Sequence, residues 1–326
     1  MRIAIALLGG LLALPAFAAD DASTGSAQVF PNRPLRVIAP FAPGNAGDII
    51  PRALSPKMSE LFRQNIVIDN RGGAGGTIAA ELTKASPPDG YTVMLVTAGT
   101  HAINASLYSK LGYDPIRDFT PIGLCASSPN VLVVTLGLPA QSVKDFIALA
   151  KAKPGTLNYG SSGSGTTVHL SGELFNVMAG VSTIHVPYKG AGEALTDLIA
   201  GRTQFMFASM SSSLQLVRTG KLRALGVTSL KRHAALPDIP AMAEFLPGFE
   251  AVAWYGYVGP AGMSKAHVTR WNQVLNAALQ DPETLKRLAA VGVDPLSSTP
   301  EEFAAYIKAE VPKWAQVVKA SGAKAD

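Results

Sequence analysis

Short runs of β-branched and aliphatic residues alternate with stretches of helical periodicity along most of this chain. The first runs lie at residues 35–39, 65–69 and 92–96. Helical patterns between them begin at Asp48 and cover residues 77–84. A strand, a helix and a second strand in succession are typical of parallel sheets, because a parallel connection needs a crossover that is usually a helix. The alternation therefore predicts an α/β protein.

The alternation recurs in a second block, from about residue 130 to residue 249, where residues 131–135 are predicted to form a strand, and then changes. An apolar run at residues 252–258 is followed by three predicted helices with no strand between them. Because helices alone would have no sheet to cover, we expect this last segment to pack on the first sheet.

Such a return would divide the chain into two α/β domains. Residues 31–128 and 250–326 are predicted to form domain 1, which is discontinuous, and residues 129–249 are predicted to form domain 2. The chain would then pass between the domains twice, near residues 127–130 and near residues 248–251. Two crossings of this kind predict a two-strand hinge.

The first residues of the chain predict secretion. Arg2 precedes an apolar stretch at residues 3–14, and residues 16–18 (Ala-Phe-Ala) form a small-x-small cleavage site. The stretch is shorter than the roughly 20 apolar residues that a membrane span needs. Residues 1–18 are therefore predicted to be a cleaved signal peptide, and residues 19–30, which are small and polar, a disordered segment.

Composition narrows the classes of partner. A single cysteine, Cys125, excludes an intrachain disulfide. The formal net charge is +5, but the basic residues are scattered, and none of the basic runs is longer than Lys231-Arg232. This pattern predicts a solvated surface rather than a nucleic-acid interface. No later apolar run is long enough to span a membrane, so we expect a chain that does not cross one.

Three glycine-rich loops follow predicted strands and precede predicted helices. The first glycine loop comprises residues 41–48, the second residues 70–77 and the third residues 159–166. Loops at the carboxyl ends of parallel strands face the crevice in which α/β sheets bind ligands. Helix N-termini add free N–H groups that suit an anion. The first and third loops contain no lysine or arginine, which favours a carboxylate over a phosphate.

The glycine spacing disfavours nucleotide binding. The second loop does not match G-x-G-x-x-G and lacks the acidic residue that should follow about 20 positions later, so we interpret it as a tight turn. The third loop lacks the lysine of a phosphate-binding P-loop. It carries four hydroxyl groups, more than a turn needs, and is predicted to bind ligand. These are the side chains of Ser161, Ser162, Ser164 and Thr166.

Signatures of catalysis are missing from the sequence. His169 and Glu173 have the spacing of a metal pair on a helix, but this spacing is common by chance, and neither H-E-x-x-H nor a cysteine cluster occurs. The third loop does not contain the G-x-S-x-G of a serine nucleophile. We therefore predict no catalytic residue, metal or cofactor. An α/β hydrolase or transferase that acts on a small carboxylate stays as the alternative.

Several ordered motifs make the chain resemble a known family. They lie at residues 40–44 with Asp48 and Arg52, and at residues 69–76, 101–104, 113–119, 159–175 and 185–190. In this order they resemble the periplasmic receptors of tripartite tricarboxylate transporters, the Bug or TctC family. The resemblance implies a type II periplasmic-binding-protein fold, in which two α/β domains close on a ligand. It also implies a periplasmic location and a partnership with membrane transporter subunits. We expect a monomer.

The resemblance further implies a small organic carboxylate as the ligand, gripped by the first and third glycine loops. The expected ligand-binding residues are Phe41, Gly44, Asn45, Asp48, Thr97, Ser162, Gly165, Thr166 and Ser209. Asp48 is predicted either to cap the following helix or to contact the ligand.

This sequence departs from the family pattern at four positions. Asn45 stands where a further glycine is usual, and Gly47 where a small hydroxyl residue or alanine is common. Gln204 and Ala208 stand where the family often has aspartate. The loss of acidic groups argues against recognition of an amino group, and hence against an acidic amino acid as the ligand.

Overall fold

Ten strands form the framework of the protein, for which a computed structural model describes residues 30–325. The strands are β1 (Leu35–Ala39), β2 (Ile66–Asn70), β3 (Thr92–Thr97), β4 (Phe119–Val134), β5 (Asn158–Ser161), β6 (Ile184–Pro187), β7 (Phe205–Ser209), β8 (Arg223–Val227), β9 (Val252–Pro260) and β10 (Asp294–Pro295). The predicted signal peptide, residues 1–18, and residues 19–29 of the predicted disordered segment lie outside the described residues.

Within residues 30–325, ten α-helices cover the faces of the strands. They are α1 (Ala46–Phe62), α2 (Thr77–Lys84), α3 (Asn104–Leu107), α4 (Val143–Ala152), α5 (Thr167–Ala179), α6 (Ala191–Ile199), α7 (Met210–Arg218), α8 (Lys265–Ala278), α9 (Pro282–Ala290) and α10 (Pro300–Ser321). Short 3₁₀ turns lie at Ala74–Gly76 and Met242–Glu244, and a π-helical turn at Gly99–Ile103. From residue 30 to residue 325, none of the helices has the length and apolar character to cross a membrane.

The strands pair into two sheets that share β4. In the first sheet the order is β2, β1, β3, β9, β4, and β10 pairs with β4 as well. In the second sheet the order is β4, β7, β5, β6, and β8 also pairs with β4. The β1–β2, β1–β3, β5–β6 and β5–β7 pairs are parallel, as the alternation of strands and helices predicts. The prediction of an α/β fold with two sheet-based units is confirmed.

Strand β4 changes partners partway along its length. Residues 119–129 pair with β9, whereas residues 130–134 pair with β7 and β8. The change lies beside the predicted domain boundary at residues 128 and 129. The division into domain 1 (31–128 and 250–326) and domain 2 (129–249) stays a prediction.

Buried Thr228 ties together the two places where the chain passes between the sheets. Its hydroxyl donates to the carbonyl of Ala251 at 2.7 Å and accepts the N–H of Asn130 at 2.8 Å. Its own carbonyl accepts the N–H of Ala251 at 3.0 Å. Residues 130 and 251, in the two predicted crossings, are therefore bonded to the same residue.

Two predictions about strands need correction. The strand predicted at residues 131–135 is only the end of β4, which begins at Phe119. The earlier part contains Pro121, Gly123 and Pro129, which are local turn signals, and its register with β9 shifts twice. Pairing with neighbouring strands outweighs these signals. The segment after β9 also contains a strand, β10, where none was predicted.

The N-cap of α1 is Asn45, not Asp48. The Asn45 side chain accepts the N–H of Gly47, and the helix begins at Ala46. Asp48 is buried and instead accepts the N–H of Gly44 at 3.0 Å and the side chain of Arg52 at 2.7 Å. The carboxylate thus holds the first glycine loop against the helix. The cap prediction was wrong because asparagine and aspartate both favour this position and the true helix start is two residues earlier.

A buried carboxylate anchors the last helix. Oε2 of Glu310, a residue that is 5% exposed, accepts the indole N–H groups of Trp254 in β9 and Trp314 in α10, both at 2.9 Å. Helix α10 also packs against α3 of the first sheet and α5 of the second. The Glu310 interaction therefore fixes a helix that contacts both parts of the molecule.

We expect Glu310→Ala to lower the free energy of unfolding by about 3 kcal/mol, because two buried indole N–H groups lose their acceptor. Urea unfolding followed by circular dichroism measures this change. Gln316→Ala, at an exposed position of the same helix, is the matched control and should change stability by less than about 0.5 kcal/mol. Equal effects of the two substitutions would contradict the anchoring role of Glu310.

Candidate functional site

A cavity lies where the carboxyl ends of strands from both sheets meet. It is bordered by the first and third glycine loops, the end of β3, the start of α7 and the first half of β9. The lining residues are Phe41, Asn45, Thr97, Gly99, Ser162, Thr166, Thr167, Val168, Ser209, Ala253 and Tyr255. These lining residues, which all belong to the described part of the chain, carry no charged side chain. Polar recognition in the cavity therefore depends on amide and hydroxyl groups.

Nine residues were predicted from the sequence to bind the ligand, and six of them line this cavity: Phe41, Asn45, Thr97, Ser162, Thr166 and Ser209. The other three, Gly44, Asp48 and Gly165, are not among its lining residues. Gly44 and Asp48 are bonded to each other within the first loop. Gly165 lies one residue before Thr166 and packs against Asn104.

Three helices begin at the cavity wall. Asn45, Thr166 and Ser209 are the residues that immediately precede α1, α5 and α7. The first N–H groups of a helix have no partner inside the helix, and the positive end of the helix dipole adds to their field. Three helix N-termini at one cavity favour an anionic group inside it.

Uncharged donors also reach the cavity from side chains. Asn45 uses its carbonyl oxygen to cap α1, which leaves its NH₂ group without a partner among the described residues. The hydroxyl groups of Ser162 and Tyr255 likewise make no hydrogen bond to any residue from 30 to 325. Burial raises the pKa of Tyr255 above its usual value, so this hydroxyl keeps its hydrogen. These groups can donate to an oxygen atom of a ligand.

The hydroxyl of Thr166 is engaged within the protein. It donates to the carbonyl of Gly163 at 2.8 Å and accepts the N–H of His169 at 3.3 Å. Its single hydrogen is therefore used inside the third glycine loop. Thr166 shapes the wall and caps α5, and the free N–H groups nearby belong to Thr167 and Val168 at the start of the helix.

The second glycine loop lies at the contact between the two sheets. A Cβ atom built on Gly75 would lie 2.4 Å from the carbonyl oxygen of Ser164, in the third loop. A Cβ atom on Gly99, after β3, would lie 2.7 Å from the carbonyl oxygen of Gly165. Glycine lets the two backbones approach here. The tight-turn interpretation of the second loop omitted this contact.

Sequence reasoning missed five lining residues: Gly99, Thr167, Val168, Ala253 and Tyr255. Thr167 and Val168 follow the cap of helix α5, and their free N–H groups could have been predicted from the position of the helix N-terminus. Tyr255 lies in an apolar run that predicts only a strand. It reaches the cavity because it pairs with Thr97 across β3 and β9, and no local signal specifies that register.

The His169 and Glu173 pair does not form a metal site. The His169 Nε2 and Glu173 Oε1 atoms are 3.8 Å apart, and Nδ1 of His169 accepts the N–H of Gly165 at 3.3 Å. Within the described part of the chain, histidine, cysteine, aspartate and glutamate side chains do not cluster in a group that could hold a metal.

The chain is similar to known proteins both in sequence and in structure. The model of the tripartite tricarboxylate transporter family receptor matches residues 50–323. BugT of Bordetella pertussis (strain Tohama I) is 34% identical over 322 residues, which cover 98% of each chain.

Two of the similar solved structures contain a ligand. R. palustris Rpa4515 with adipate is 38% identical, has a TM-score of 0.88, and the match covers 90% of this chain and 98% of that one. MatC from Rhodopseudomonas palustris with bound malate is 31% identical, has a TM-score of 0.84, and the match covers 89% of this chain and all of that one. The type II fold that the resemblance implies is confirmed. This chain belongs to the receptor family of the tripartite tricarboxylate transporters, the Bug or TctC family.

Proposed function

We propose that this chain is a periplasmic receptor that binds a small dicarboxylate in the cavity and delivers it to a tripartite membrane transporter. The observation that carries the proposal is the convergence of three helix N-termini on a cavity lined by uncharged donors. Such a site neutralises a carboxylate with N–H dipoles and hydroxyl groups. A phosphate usually recruits lysine or arginine, and neither lines the cavity.

Helix starts contributed by separate segments of the chain favour a ligand with two carboxylates. The starts of α1 and α5, at Asn45 and Thr166, are contributed by the first and third glycine loops. The start of α7, at Ser209, is contributed by the end of β7. Adipate and malate, the ligands of the two similar structures, are both dicarboxylates.

The lining also argues against an amino acid as the ligand. An ammonium group inside the cavity would need a carboxylate partner, and none of the lining side chains is acidic. Gln204 is engaged elsewhere, since its side-chain oxygen accepts the N–H of Asn158 at 2.9 Å. Ala208 has no polar side-chain group.

The alternative function, a hydrolase or transferase, would require a nucleophile that meets the substrate. Oγ of Ser161 lies 2.6 Å from Nε2 of His185, which is the distance of a nucleophile and its base. Ser161 is fully buried, and its oxygen already accepts the N–H of Gly163. It does not line the cavity. The position of the pair supports a structural role, and we propose that the receptor catalyses no reaction.

Ligand capture is proposed to involve rotation of the two domains about the crossings at residues 130 and 251. The contacts of Gly75 with Ser164 and of Gly99 with Gly165 then belong to the closed state. In the open state the cavity would be exposed to solvent, so that the ligand can enter. The receptor is proposed to act as a monomer, because each chain contains both sides of the cavity.

We expect adipate or malate to raise the melting temperature of the mature protein, whereas glucose and ATP leave it unchanged. A ligand at about 1,000 times its dissociation constant adds roughly 4 kcal/mol to the free energy of unfolding. Differential scanning fluorimetry at pH 7 measures the shift. Stabilisation by glucose or ATP alone would overturn the assignment of a carboxylate ligand.

We expect Tyr255→Phe to weaken binding of the better of these two dicarboxylates by a factor of about three to ten, because one hydroxyl donor is lost while the ring stays. Isothermal titration calorimetry measures the affinity. Tyr257→Phe is the matched control, since Tyr257 is buried in the same strand but does not line the cavity. Unchanged affinity in Tyr255→Phe would show that this hydroxyl does not contact the ligand.

We expect Gly99→Ala to hold the domains apart, because the added methyl group would meet the carbonyl of Gly165 only when the cleft is closed. The variant should bind at least about tenfold more weakly, as expected for a close contact that forces backbone movement. In solution scattering, it should keep a larger radius of gyration than the saturated parent protein. Gly192→Ala, which has open space around the new methyl group, is the control. Normal affinity and normal compaction in Gly99→Ala would refute this closed contact.

A further inference from the structure

We propose that His169 is a positioning residue for the ligand site: its unprotonated Nδ1 atom holds the third glycine loop in the conformation that binds the ligand. The inference rests on the proposed function, since it concerns the same cavity. His169 does not line the cavity and acts through the loop. It lies on the first turn of α5 and is 3% exposed.

The contact that carries the inference joins the ring to the loop backbone. The N–H of Gly165 points inward and donates to Nδ1 of His169 at 3.3 Å. Gly165 has a φ of +81°, in the left-handed region that residues other than glycine rarely adopt. The backbone turns at this point, so one amide is bonded within the protein while the residues that follow, Thr166 to Val168, line the cavity.

The hydrogen-bond geometry determines which ring nitrogen carries hydrogen. Because Nδ1 accepts a hydrogen bond, a neutral His169 ring carries its hydrogen on Nε2. Nε2 lies on the side of Glu173, 3.8 Å from Oε1, and this carboxylate favours the same tautomer. Burial lowers the pKa of His169 to about 4, so the ring is neutral at pH 7.

A second histidine supports the first. The rings of His169 and His185 are stacked, with centroids 4.0 Å apart and planes inclined by 18°. Nε2 of His185 lies 2.6 Å from Oγ of Ser161, which in turn accepts the N–H of Gly163 at 3.2 Å. The inward N–H group of Gly165 is thus bonded to His169 itself. The inward N–H group of Gly163 is bonded to Oγ of Ser161, which is in turn bonded to His185.

The arrangement explains why the loop can offer its remaining donors to a ligand. With Gly163 and Gly165 bonded inward, the hydroxyl of Ser162 faces the cavity without a partner among residues 30–325. If Nδ1 of His169 were lost, the N–H of Gly165 would be left without an acceptor at a buried position, which costs free energy. The loop would then change its conformation, and the donors would move away from the ligand.

Two substitutions of similar polarity separate this role from packing. In His169→Asn the side-chain oxygen can occupy the place of Nδ1, whereas in His169→Gln the amide group is one bond further from the backbone, near the place of Nε2. We expect His169→Asn to bind adipate within about threefold of the parent protein and His169→Gln to bind at least about tenfold more weakly, the range for one lost hydrogen bond. Titration calorimetry at pH 7 measures both affinities.

Two measurements on the ligand-free protein test the same idea without adipate. The ¹⁵N chemical shifts of the His169 ring should show an unprotonated Nδ1 and a protonated Nε2. Exchange of the Gly165 amide hydrogen should be slow in the parent protein and in His169→Asn, and faster in His169→Gln. A protonated Nδ1, or equal exchange and equal affinity in the two variants, would overturn the proposal. If the parent protein does not bind adipate, the proposed ligand fails, while the ring shifts and amide exchange still decide the role of His169.

Discussion

The hydrogen bonds of one strand determine how the rest of the molecule is arranged. Strand β4 pairs with β9 over its first eleven residues and with β7 and β8 over its last five. Since the two sheets are built on the same strand, their ends meet in one region, and the loops that follow β1, β3, β5 and β7 border the candidate site. Thr228 bonds this strand to the second chain crossing at Ala251. The proposed rotation of one sheet against the other would therefore be centred on residues near 130 and 251.

The lining of the cavity suits the proposed ligand, because oriented dipoles would neutralise a carboxylate while charged side chains stay outside. Asp48, the charged residue of the first glycine loop, is bonded to Gly44 and Arg52 and holds the loop. In the third loop, the same task of holding inward N–H groups falls to Ser161 and His169. Each binding loop thus combines donors that face the cavity with an acceptor behind it. Because these acceptors fix the backbone in the absence of ligand, little conformational entropy would be lost if the loops bind the proposed ligand.

Much of this arrangement was predictable from local sequence signals. Strand β1 and helix α2 lie at the predicted residues, and the glycine loops with their hydroxyl groups led to six of the lining residues, among them Asn45 and Ser162. The long strand β4 was not predictable, because Pro121, Gly123 and Pro129 are turn signals that sheet pairing outweighs. Tyr255 was not predictable either. It reaches the cavity through its pairing with Thr97, and a register between distant strands leaves no trace in an apolar run of residues. To assign the cap to Asn45, one would have to know where helix α1 begins, and helical periodicity defines that start only to within about two residues.

The uncharged lining of the cavity has a consequence for the environment in which such a receptor operates. Ion pairs at a protein surface weaken as dissolved salt screens them, whereas bonds to buried dipoles are screened far less. A receptor whose cavity holds a dicarboxylate through amide and hydroxyl groups would therefore keep its affinity when the ionic strength around it rises or falls. Uptake by way of this cavity would accordingly depend on the concentration of the solute and hardly on the salinity of the surroundings.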